Sequence, residues 1–81
     1  MKFKKKPLIV EAEQWFPCME IEGVKNCYED LFITIASHAI IKTLEGSMIV
    51  NPGDWIITGI EGEKYCCKNS IFQKTYEKVE E

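Results

Sequence analysis

A chain of 81 residues forms one domain, and with 46% hydrophobic and 28% charged residues it is too apolar to stay disordered. A domain this small buries only roughly 60–65% of its unfolded surface, so oligomerisation, a metal or disulfides commonly supplement such a core. The net charge of −3 argues against bulk attraction to phosphate backbones, and no apolar run approaches the roughly 18–20 residues of a membrane span.

The chain begins basic, with Lys2, Lys4, Lys5 and Lys6, and closes acidic, with Glu77, Glu80 and Glu81. Leu8-Ile9-Val10 is too short for a signal h-region, so a cytoplasmic location is expected. The arm reads as a solubilising charge run, with contact to nucleic acid or an acidic partner as the alternative. Leu8 to Trp15 is expected as a first strand, ended by Phe16-Pro17 because proline lacks a ladder donor. Cys18 to Asp30 reads as a loop with one short extended segment around Met19, Ile21 and Val24, or alternatively as a helix interrupted by Gly23.

Leu31–Ala36 (LFITIA) is dense in β-formers and predicts a strand, with a break at Ser37-His38. Ala39–Leu44, a tight turn at Glu45-Gly46 and Ser47–Val50 predict a hairpin. Asn51-Pro52-Gly53-Asp54 carries turn residues in suitable order. Trp55–Ile60 follows as a strand apolar on both faces, which implies a central position or a partner on one face. Glu61-Gly62 repeats the earlier turn device, and Glu63–Lys68 is the return strand, with Tyr65 and Cys67 on one face and Lys64, Cys66 and Lys68 on the other. Asn69-Ser70 caps a helical turn over Ile71–Lys74. Thr75–Val79 predicts a last strand, with a continuous helix from Ser70 to Glu80 as the alternative. The fold class expected is mainly β (a β-rich α+β arrangement): a small antiparallel β-roll or barrel with a short C-terminal helical turn.

The four cysteines include no Cys-x-x-Cys pair, and adjacent Cys66 and Cys67 point to opposite faces of a strand. Reduced, packed thiols are therefore expected rather than a disulfide or zinc centre. His38 is the only histidine, so any Cys–His or Ser-His-Asp chemistry has to use it; the competing reading is a loop histidine. Asp54 at a turn exit reads as a cap on backbone amides, and Glu11 and Glu13 as a solvated strand face rather than a metal pair. The rings of Trp15, Trp55, Tyr65, Phe72 and Tyr76 are expected mostly in the core; exposed beside Lys42, Lys64 or Lys68 they would suit base stacking. No P-loop, GxGxxG, HExxH or GxSxG motif is present.

Lys5-Lys6-Pro7, Glu11-Ala12, Gln14-Trp15, Leu44-Glu45-Gly46, Pro52-Gly53-Asp54-Trp55-Ile56-Ile57, Gly59, Gly62-Glu63, Tyr65, Cys67-Lys68, Ile71-Phe72 and Thr75-Tyr76-Glu77 together resemble a family of small proteins of tailed bacteriophages and prophages. The match covers both ends and the second half of the chain. It departs at Cys66, where a proline is frequent, and at Asn69-Ser70, where Pro-Asp is frequent. Phe16 to His38 matches poorly, and variable specificity is expected there. The resemblance implies a small accessory protein in the cytoplasm of an infected bacterium.

The function expected is a non-catalytic binding module for a host or phage protein, antagonism of a host defence component being one form of it. One alternative is a small-molecule binder sequestering a nucleotide-like ligand, with Trp15, His38, Trp55, Tyr65 and Lys68 as candidate binding residues. The other is a hydrolase-type enzyme using His38. No cofactor, metal, catalytic residue or membrane contact is expected; nucleic acid is disfavoured by the net charge, and a homo-oligomer is compatible with the size.

Overall fold

Six short strands and one helix follow from the turn chemistry. In the computed structural model, which describes residues 1–3, 8–29 and 35–79, they are β1 (Glu11–Gln14), β2 (Val24–Cys27), β3 (His38–Thr43), β4 (Gly46–Val50), β5 (Trp55–Thr58), β6 (Lys64–Cys67) and α1 (Asn69–Thr75). Lys4, Lys5 and Lys6, residues 31–34 of the expected Leu31–Ala36 strand, and Glu80 and Glu81 lie outside the described residues.

The strands form two antiparallel three-stranded sheets, ordered β1-β5-β6 and β2-β3-β4. The mainly β class is as the sequence predicts, whereas a closed barrel is not formed. The central position of β5 accounts for its two apolar faces: Ile56 and Ile57 point to opposite sides and both are buried. Burying a side chain of this size contributes about 1.5–3 kcal/mol. Trp15, Ala36, Ala39, Ile41, Val50 and Ile56 form the core between the sheets, with Met19, Ile21, Val24 and Cys66 packed against it.

Several boundaries differ from expectation. β1 starts at Glu11 rather than Leu8, because its partner runs out at Thr58, opposite Glu11. Leu8 and Ile9 are exposed. β5 in turn stops at Thr58 rather than Ile60. The Gly59 N–H donates to the Glu63 carbonyl (2.8 Å) and the Gly62 N–H to that of Gly59 (3.0 Å), which turns Ile60 out to solvent. The Cys18–Asp30 stretch contains β2 and no helix among its described residues. Ile35 and Ala36 are not in a strand, and His38 begins β3 instead of breaking it. The Ser37 N–H donates to the Cys27 carbonyl (2.9 Å), so pairing with β2 carries on past the strand end.

The hairpin and the Pro-Gly turn form as expected. Thr43 Oγ1 donates to the Gly46 carbonyl (2.7 Å) and accepts from the Glu45 N–H (3.2 Å), closing the β3–β4 turn. Asp54 Oδ2 accepts the Asn51 N–H (2.9 Å), the Asp54 N–H donates to the Asn51 carbonyl (3.0 Å), and Gly53 takes the positive φ of 91° that disfavours a side chain. Helix α1 spans Asn69–Thr75, but its N-cap is Lys68, which provides no side-chain cap. Asn69 is diverted: its Oδ1 accepts the Trp55 indole N–H (2.9 Å) and the Gln73 amide (3.2 Å). The expected strand over Thr75–Val79 is absent, as is the longer helix. Tyr76 leaves the helix in an extended conformation, its N–H donating to the Phe72 carbonyl, with its ring laid against Phe72.

Candidate functional site

The candidate residues separate into three environments. Trp15 follows β1, where its N–H donates to the Asp54 carbonyl (2.8 Å) and extends the ladder with β5. Its ring is 0% exposed, and the indole N–H donates to Asn26 Oδ1 (3.1 Å), whose own amide donates to the Met19 carbonyl (2.9 Å). Such a tryptophan presents no face to a ligand; it is a core anchor.

Trp55 and Tyr65 belong to the other side of the β1-β5-β6 sheet. The registers Trp55↔Cys67 and Ile57↔Tyr65 put all four of these side chains on one face. Phe72 of α1 stacks on Trp55 with centroids 4.0 Å apart and planes 5° from parallel, and Tyr76 stacks on Phe72 at 5.0 Å and 21°. Tyr65 is pushed up to about 12, first by a side-chain hydrogen bond with Tyr76, then by burial and by the neighbouring Tyr76, Glu63 and Cys67 charges. These rings serve one another as packing partners. Lys68 is exposed at the helix start.

His38 stands apart, on the outer face of the β2-β3-β4 sheet, directly opposite Cys27. Its Nδ1 shares a 2.8 Å hydrogen bond with the Ser37 hydroxyl, which also lies 3.4 Å from the Cys27 carbonyl. The Cys27 thiol donates to the Lys25 carbonyl (3.8 Å). The cluster thus braces the junction of β2 and β3.

All four cysteines are free thiols. The Cys66 thiol donates to the Ile49 carbonyl (3.5 Å), and burial, then the Asp54 charge, pushes its pKa up. Cys67 is raised by the same two causes. Both are held in the weakly nucleophilic protonated form at neutral pH. Among the described residues no group of three or more His, Cys, Asp or Glu is placed to hold a metal ion, and no helix is long and apolar enough to cross a membrane.

Two surface features remain. A cleft of about 250 Å³ lies between the β3–β4 turn and β6, with Leu44, Met48, Lys64 and Tyr65 in its lining. The second is the outer face that carries His38. Strand parity places Lys25, Cys27, His38, Ile40, Lys42, Ser47 and Ile49 there, since Ala39, Ile41 and Val50, which alternate with them along β3 and β4, point into the core. Lys25–Ile40–Ile49 form one row across the sheet, and Ile49 is 61% exposed. Lys25, Ile40 and Ile49 carry no motif that marks them in the sequence. The alternation in the Ala39–Val50 hairpin held the signal, because placing Ala39 and Ile41 inward turns Ile40 outward.

No known protein family, curated protein or solved structure matches the chain.

Proposed function

We propose that the chain is a non-catalytic protein-binding module, an accessory factor acting in the cytoplasm of a bacterium that carries a tailed phage or prophage. The observation that carries this reading is the outer face of the β2-β3-β4 sheet, where Ile49 stays exposed beside half-buried Ile40 on hydrogen-bonded strands. Isolated exposed apolar residues are ordinary, but two adjacent isoleucines on a rigid sheet face, flanked by Lys25 and Lys42, are what an interface needs. Part of this face comes from Phe16–His38, the stretch in which the phage resemblance leaves room for variable specificity. A host protein, including a component of a defence system, is the partner that resemblance implies.

Sequestration of a nucleotide-like ligand has less support. The rings that would stack on a base are stacked on each other, and the cleft of about 250 Å³ is smaller than the roughly 300–1,000 Å³ of ordinary ligand sites.

Photo-crosslinking in a bacterial host tests the reading. A crosslinker replacing Ile49 should give a discrete adduct with one protein, whereas the same group at Ile60, on the turn after β5, should not. Equal yields from both positions, or adducts only between copies of the chain, would sink it.

A further inference from the structure

We infer that the outer face of the β2-β3-β4 sheet docks an acidic, apolar segment of a polypeptide; this rests on the binding-module reading and names its partner class. The chain holds 13 acidic against 10 basic residues, yet among the described residues the side chains that β2, β3 and β4 place on this face include Lys25, Lys42 and His38 and no carboxylate. The nearest carboxylates along the chain, Glu22, Glu29 and Glu45, lie in the turns and loops beyond the strand ends. Positive charge has thus been collected on one face of a net-negative protein.

The layout of the face specifies the partner further. Ile40 occupies the central strand, with Lys25 across from it on β2 and Ile49 across from it on β4. Lys42 and His38 sit two residues to either side of Ile40 on β3, each roughly 7 Å away along the strand. A segment laid over the sheet would bury apolar side chains on Ile40 and Ile49 and bring carboxylates to the lysines that frame them.

Other occupants fit less well. Nucleic acid would gain few phosphate contacts, and among the described residues β2, β3 and β4 place no Trp, Tyr or Phe on the face for bases to stack on. A second copy joined by a two-fold axis would oppose two faces of the same charge, because an isologous interface uses the same patch on both copies, and would bring no carboxylate of β2, β3 or β4 to Lys25 and Lys42. Complementary charge, by contrast, speeds encounter and selects among partners.

The test uses the isotope-labelled full chain and three synthetic probes: a peptide alternating Glu and Val, its Lys–Val counterpart and an oligothymidylate. The Glu–Val peptide should shift amide resonances of β2, β3 and β4, and added salt should weaken it. The double variant Lys25→Glu with Lys42→Glu alters two exposed side chains and should keep the fold. It should bind this peptide about tenfold more weakly and gain affinity for the Lys–Val peptide. Ile49→Ser should weaken the Glu–Val peptide without inverting the preference. Shifts confined to other surfaces, indifference to charge reversal, tighter oligothymidylate binding, or self-association through this face would each overturn the assignment. A discrete adduct from Ile49 in cells without binding of the Glu–Val peptide would mean that the charge assignment fails and the binding-module reading stands. Peptide binding without any such adduct would mean the reverse.

Discussion

Trp15 illustrates how one side chain joins several parts of the molecule. Its backbone extends the β1–β5 ladder, its ring fills the space between sheets, and its indole N–H holds Asn26 of β2. Trp15→Phe keeps most of the apolar volume but leaves Asn26 Oδ1 without its donor. Urea unfolding should show a loss of about 2 kcal/mol, larger than for Trp55→Phe, whose indole partner Asn69 is exposed. Tyr65 yields a prediction in pH. An unfolded tyrosine titrates near 10 and the folded one near 12, so its contribution is complete below pH 10 and fades as pH rises through 12. Cys66, also raised, acts in the same direction at lower alkaline pH. Stability measured by urea unfolding should therefore decline on the alkaline side, and Tyr65→Phe should flatten the decline above pH 10.

Helix α1 is attached to the sheets through few side chains. It buries no residue fully and is held by the Trp55–Phe72–Tyr76 stack and the Trp55–Asn69 bond. Phe72→Ala removes the middle ring, so Trp55 emission should shift to the red with a stability loss of about 1–2 kcal/mol. Lys68→Asp should do the opposite. It puts an acceptor and a negative charge at an N-cap that now has neither, for a gain of about 1 kcal/mol in thermal unfolding. Turns were the most legible elements, since Pro52-Gly53-Asp54 and Leu44-Glu45-Gly46 carry their own backbone requirements. The expected Asn69 cap is not formed because Asn69 has a competing tertiary partner in Trp55. The expected Thr75–Val79 strand failed for a similar reason: Tyr76 is engaged by Phe72. Leu8–Val10 has strand-forming residues, but strand length is set by the partner, and β5 ends at Thr58.

At the scale of the whole molecule the two sheets share one core. Trp15, adjoining the first sheet, packs in the same cluster as Ala39, Ile41 and Val50 of the second. Neither sheet can expose its inner face without stripping the other, which favours a single cooperative transition. Trp15 and Trp55 report from different places, one between the sheets and one in the outer aromatic stack. Single-tryptophan variants should give denaturation midpoints that coincide with that of circular dichroism for the same variant; separated midpoints would show independent units. The mainly β class and the two hairpin pairings are readable because alternation and turns are local signals, whereas the β1–β5 and β2–β3 pairings are not. The proposed docking face is not readable either, because it depends on which strands lie side by side, and Lys25 meets Ile40 only through the β2–β3 register.

The join between Trp15 and the Pro-Gly turn also bears on how such a chain can vary. The Trp15 N–H reaches the Asp54 carbonyl, the Gly53 N–H reaches the Trp15 carbonyl, both at 2.8 Å, and the Gln14 amide donates to the Gly53 carbonyl at 3.0 Å. Everything from Phe16 to Pro52 is thus an excursion that leaves and re-enters the polypeptide at one clasp. Doubling the length of a loop closed in this way adds only about 0.6 kcal/mol of closure entropy. Strands β1, β5 and β6 with α1 can then act as a fixed frame, and the inserted β2-β3-β4 sheet as an exchangeable cassette, provided that its replacement still fills the space around Trp15.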